Sequence, residues 1–151
     1  MRPSPALLIA AASTLDGLRN NAEGQWDIAL VHHWGFWSHY DYASDCSSWP
    51  LPATHSAEAL GALAERQGLL RNTARVGDVF LQYSPREGVF VRGGIVAHIY
   101  EGAAPDADYI DALVIEGNSG KHGELGGERT QRIVRRLSAS RGDRFIRWAG
   151  R

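Results

Sequence analysis

The hydrophobic period of this chain changes once, near residue 76, and that switch limits the fold more than any other feature. Before it, apolar residues recur at helical spacing, as Leu7, Leu8, Ala11, Ala12, Leu15 and Leu18, and again as Ala59, Leu60, Leu63 and Ala64. After it, they fall in short β-branched and aromatic blocks separated by Gly, Pro and Asp. Helices first and an antiparallel sheet afterwards define an α+β domain. At 151 residues the chain has the length of one domain, with a helical half over about 1–70 and a sheet half over about 76–148.

Local signals place the elements. Residues 4–18 read as a first helix, with Ser4 as N-cap, Pro5 in the first turn and Asn20-Asn21 ending it. Gln25 to Val31 fits either a short helix or an extended piece. Ser56 to Leu70 is the clearest helix: Glu58, Glu65 and Arg66 lie opposite its apolar face, and Gly68 marks its end. Val79–Tyr83 reads as a strand and Ser84–Gly88 as a turn. Phe90–Tyr100 is a second strand, which Gly93-Gly94 should break, and Leu113–Ile115 is a third. A Gly-rich loop over Gly117–Gly127 precedes strands at Thr130–Leu137 and Arg144–Trp148. Arg141-Gly142-Asp143 has the form of an adhesion tripeptide, but Gly and Asp there predict a hairpin turn.

Composition removes several function classes. With 44% hydrophobic and 22% charged residues the chain is neither disordered nor collagen-like. A net charge of -1 argues against bulk nucleic-acid binding. No stretch approaches the roughly 18 apolar residues of a membrane helix, so no membrane partner is expected. Ala6–Ala12, with Arg2 as the only charge before it, suits an amphipathic helix better than a cleaved leader. Lys121 is the only lysine, and Arg129, Arg132, Arg135, Arg136, Arg141, Arg144, Arg147 and Arg151 crowd the C-terminus. They read as a solvated strand face, or else as a basic edge for phosphate or an anionic polymer.

Residues 32–55 form a long segment holding Trp34, Phe36, Trp37, Tyr40, Tyr42 and Trp49. Trp34, Trp37, Tyr40 and Trp49 are candidates for stacking on a ligand, and equally for a core lid. His32, His33, His39, Asp41 and Asp45 have ligand-type side chains, but no two His have helical i, i+4 spacing, so no metal or other cofactor is expected. Cys46, the single cysteine, excludes an internal disulfide. Pro50 opposes a helix starting at Cys46, so a helix N-terminus would not activate its thiol. Cys46 with His33 or His39 is a remote alternative as a nucleophile–base pair.

Several short motifs stand in order. A helix opens at Ser56. Val76-Gly77-Asp78-Val79, Arg92-Gly93-Gly94-Ile95-Val96 and Ile115-Glu116-Gly117-Asn118 follow, and the chain closes on Arg144-Phe145-Ile146-Arg147-Trp148. Their order and spacing resemble the CHAP domain, the cysteine, histidine-dependent amidohydrolase/peptidase group of the papain-like superfamily. The resemblance spans nearly the whole chain. It implies a papain-like fold, with N-terminal helices packed on a curved antiparallel sheet, and the cleavage of amide bonds in peptidoglycan. Phage particles and bacterial surfaces are the locations it suggests, and peptidoglycan fragments or another protein of an assembly the partners.

Carried over by residue, the resemblance puts the nucleophile position on Ser56 in place of Cys. It puts the base position on Arg92 in place of His, and the orienting position on Glu116, with Asn118 beside it. Arginine offers donors only and cannot take a proton from a serine hydroxyl. An Arg92–Glu116 pair would instead form a charge-assisted hydrogen bond. The expectation is a catalytically degenerate CHAP-like domain that binds wall peptide or glycan, or serves a structural role. The alternative is an active hydrolase using Ser56 or Cys46 with a base elsewhere. His55 adjoins Ser56, and His98 has even spacing from Arg92 along one strand, which predicts a shared face.

Overall fold

The computed structural model describes residues 54, 56–102, 107–119 and 129–147. Among these it has one helix, α1 (Ala57–Arg66), and six strands: β1 (Leu70–Arg71), β2 (Val79–Ser84), β3 (Val89–Tyr100), β4 (Ile110–Ser119), β5 (Arg129–Leu137) and β6 (Arg144–Ile146). The strands form a single antiparallel sheet in the order β1-β6-β2-β3-β4-β5. A helix packed on an antiparallel sheet is the α+β arrangement that the period switch predicts.

The ends of α1 follow from its sequence. Ser56 is extended at φ −149°, and its Oγ accepts a hydrogen bond from the Ala59 N–H at 3.0 Å, satisfying one orphan donor of the first turn. Glu58 in the first turn and Arg66 in the last both oppose the helix dipole. The helix stops earlier than its apolar pattern suggests. Gly68 takes a left-handed φ of +67°, the Gly68 N–H reaches the Glu65 carbonyl, and the Leu69 N–H reaches the Ala64 carbonyl. That paired closure turns the chain and buries Leu69, releasing Leu70-Arg71 as the short strand β1, which the sequence alone did not separate from the helix.

The two faces of the sheet are distinct. Ala57, Leu60 and Ala64 pack with Val79, Leu81, Ile95, Ile115 and Ile146, so α1 covers this face. Phe80, Val96, Ala112, Val114, Leu137 and Phe145 form a second buried cluster on the other face. Strong curling of the sheet accounts for that second core. The Asp143 carboxylate accepts from the Ser138 N–H, at the end of β5, and from the Tyr83 N–H of β2, each at 2.8 Å. In a flat sheet those strands would stand three spacings, roughly 14 Å, apart. The sheet therefore curls far enough for one carboxylate to span the end of β5 and β2, and the second cluster fills the concave side. The tripeptide at 141–143 lies in a turn as expected, but the turn is no hairpin, because it joins strands that are not neighbours.

Two local features of β3 differ from expectation. Gly93-Gly94 does not break the strand. A Cβ on Gly94 would collide with the Ile115 carbonyl oxygen and lie 2.7 Å from Phe80 Cε1, so this glycine lets β4 and the Phe80 ring close over it. Further on, the register slips between Val96 and His98: Val96 pairs with Val114 and His98 with Leu113. This bulge reverses the side-chain alternation, so His98 does not share the face of Arg92. The third strand also extends well beyond Leu113–Ile115, over Ile110–Ser119.

Candidate functional site

The side chains of Arg92 and Glu116 meet as the motif order suggests. Arg92 pairs with Gln82 and Glu116 with Gly94, which puts both side chains on the concave face, in diagonal register across β3 and β4. Arg92 Nη1 donates to Glu116 Oε1 at 2.7 Å, and the two residues are 2% and 0% exposed. A third side chain joins them. Arg135 on β5 donates through Nη2 to Oε1 at 2.5 Å and through Nε to Oε2 at 3.0 Å, a two-point grip on the same carboxylate.

Glu116, itself withdrawn from water, is thus held by two guanidinium groups, one buried and one partly exposed. Withdrawing these charges from solvent costs several kcal/mol per ion, and the close geometry of the three charges offsets part of that cost. Neither arginine can act as a proton acceptor. The carboxylate that would orient an imidazole is instead occupied by cations. Arg135 was not singled out from the sequence, although a signal exists: Gln131, Ile133, Arg135 and Leu137 alternate onto one face, and a cation between two apolar residues there requires a buried partner.

Ser56 does not join this group. It stands at the start of α1, against the face opposite the Arg92–Glu116–Arg135 cluster, with its hydroxyl committed as the helix cap. Ser56 and Arg92, the nucleophile and base positions of the resemblance, are therefore not brought together: the alternation along β3 that buries Ile95 under α1 turns Arg92 away from it. His98 is exposed and stacks edge-on against Tyr100, with ring centroids 4.8 Å apart. The bulge removes the shared face on which its candidacy as a base rested. Asn118 lies within β4. His55, Cys46, Trp34, Trp37, Tyr40 and Trp49 fall outside the described residues, as do His32, His33, His39, Asp41 and Asp45. Among the described residues no three His, Cys, Asp or Glu side chains come together to hold a metal.

The arginine-rich C-terminal region is bound into the fold. Besides Arg135, Arg136 grips Asp111 at 2.9 and 3.1 Å, and Arg141 donates to Asp143 at 3.0 Å. Arg144 donates to the Ala139 and Asp143 carbonyls, and Arg147 to Asp78 and the Thr73 carbonyl. Each of these five is engaged by a carboxylate or a backbone carbonyl, so they are not a free basic edge, while Arg136 and Arg141 remain solvated. Asp143 is 0% exposed, so the Arg141-Gly142-Asp143 tripeptide cannot present its carboxylate to a receptor. Asp143→Asn should cost about 2 kcal/mol in urea unfolding, because an amide cannot reproduce all the charge-assisted bonds that this carboxylate accepts. An unchanged midpoint would contradict that role.

Asp78 is buried beside Arg147. Burial pushes its carboxyl above the usual 3.8, against the pull of the Arg147 hydrogen bond and the Arg75 N–H. An acid with a raised folded-state value binds its proton more tightly when folded. Its contribution is thus greatest below 3.8 and declines as pH rises through the raised value. Across that window the wild type should lose stability relative to Asp78→Asn, and a difference between the two that does not vary with pH would refute this.

Both side chains of the Arg136–Asp111 pair are exposed to solvent. Arg136 nonetheless holds the Asp111 carboxyl below its usual range. No protein-family model, curated protein or solved structure matches the chain. No helix among the described residues is long and apolar enough to cross a membrane.

Proposed function

We propose that this chain is a CHAP-like domain of the peptidoglycan amidase and endopeptidase type that has lost hydrolysis and acts by binding wall peptide or glycan, or as a structural unit. The observation that carries this reading is the buried Arg92–Glu116 contact at 2.7 Å, with Arg135 on the same carboxylate. In the motif order of the resemblance, these strand positions belong to a histidine base and the carboxylate that orients it. A permanent cation locked on that carboxylate can neither accept nor relay a proton. Of the remaining motifs, Gly77-Asp78 immediately precedes β2 and Arg144-Phe145-Ile146 forms β6, whereas the helix start at Ser56 stands against the opposite face of the sheet.

The test is to incubate the purified chain with insoluble peptidoglycan, then measure both co-sedimentation and newly released amino groups. Sedimentation without new amino groups is expected. New amino groups well above a heat-inactivated control would defeat the proposal. So would a chain that stays in the supernatant and also binds no assembly partner.

A further inference from the structure

A cleft of about 370 Å³ opens at the far end of the concave face from Glu116. The β4–β5 ladder sets this distance, since Glu116 pairs with Gln131 at one end and Ile110 with Leu137 at the other. Ile110, Leu137 and Phe145 line the cleft and also belong to, or pack on, the concave core. Its remaining wall includes Thr73, Asp108 and Ser140. An apolar floor under a polar wall suits a ligand with a short hydrocarbon stem and one polar end.

The hydroxyl chemistry fixes the sign of that polar end. Ser140 donates its only proton to Asp108 Oδ2 at 2.6 Å. Ser138 and Ser140 hydroxyl oxygens are 2.9 Å apart, so Ser138 must be the donor between them. Both protons therefore point along the chain toward Asp108. Among the described residues lining the cleft, Asp108 is the only charged one, and no ion pair holds it. The neighbouring cations are engaged elsewhere: Arg136 with Asp111, Arg141 with Asp143, Arg147 with Asp78, and Arg144 on the Ala139 and Asp143 carbonyls. Asp108 Oδ1 is left to accept from an incoming N–H.

We propose that this cleft binds an alkylammonium group, its aliphatic stem over Ile110, Leu137 and Phe145 and its ammonium head on Asp108. This site is separate from the Arg92–Glu116–Arg135 cluster and does not depend on the CHAP-like reading. The group could arrive as a free amine or as a lysine-type side chain of a peptide.

The experiment is a ¹⁵N–¹H NMR titration of the full chain with n-pentylammonium, with 1-pentanol and pentanoate as probes of the same stem. Saturable shifts are expected at residues 107–110 and 137–140, with pentanoate clearly weaker. Asp108→Asn should weaken pentylammonium on the order of fivefold while leaving pentanol unchanged. Asp108 is exposed, and an otherwise unaltered spectrum verifies that the variant is folded. Nα-acetyl-lysine amide binding more tightly than pentylammonium would identify a peptide-borne group. Equal or weaker binding would identify a free amine. Absence of saturable shifts in these segments, equal binding of pentanoate, or indifference to Asp108→Asn would overturn the proposal.

Discussion

Glu116→Ala should lower the unfolding free energy by about 3–5 kcal/mol, the cost of removing one partner from a buried ion cluster. The reason is electrostatic. Arg92 is 2% exposed and Arg135 has a side chain 16% exposed, so neither guanidinium can regain full hydration once the carboxylate between them is gone. In a domain of this size that corresponds to a fall of roughly 10 °C or more in melting temperature. The informative companion is the triple variant Arg92→Met, Glu116→Leu, Arg135→Met. It removes all three charges while keeping similar volumes, and it should recover most of the loss, because desolvation is then no longer required of any of them. Urea unfolding of both variants checks the argument. A single variant within about 1 kcal/mol of wild type would mean that the cluster is hydrated in solution.

Gly94→Ala should cost about 3 kcal/mol, at the upper end for an overpacked core. Backbone preference alone predicts the opposite sign, since glycine inside a strand is weaker than alanine by roughly 0.5–1 kcal/mol. Sterics decide the outcome. The new methyl would meet the Ile115 carbonyl oxygen, which belongs to the paired backbone of β4, and Phe80 Cε1 at 2.7 Å, with Glu116 Cβ at 3.2 Å. The main chain of a central strand pair has little room to give way. A stabilised variant would show that β3 and β4 do not approach as closely as described. The same substitution should also loosen the Arg92–Glu116 contact, because Glu116 is the residue paired with Gly94.

The degree to which the fold was readable differs from element to element. α1 and the longer strands carried clear periodic signals, and Ser56 and Gly68 marked where the helix begins and turns. The bulge at Val96/His98 carried none, and it alone moved His98 to the face away from Arg92. Side-chain alternation is a rule about regular strands, so one inserted residue silently inverts every assignment beyond it. The turn at Arg141-Gly142-Asp143, expected to be a hairpin, instead belongs to the connection that closes the curl between β5 and β6. A short polar turn looks the same whether it joins neighbours or closes a curled sheet.

The candidate site was half legible. The Arg92–Glu116 contact follows from motif order, because adjacent strands bring even-spaced positions together. The placement of Ser56 does not follow from it, since the side of the sheet on which a helix packs depends on which strand residues are apolar, here Val79, Leu81, Ile95 and Ile115. Arg135 was missed because an arginine in an arginine-rich strand looks like surface until its alternation with Ile133 and Leu137 is set against a partner strand.

The sequence by itself determined that helix precedes sheet, where α1 starts and the residue types available for chemistry, since these depend on local backbone preference and hydrophobic period. Only the tertiary structure decided which face each charged side chain occupies, that Arg135 completes the grip on Glu116, and that the sheet curls to leave an acidic cleft at Asp108. Those outcomes depend on register, bulges and curvature, which arise from contacts between segments far apart in the chain.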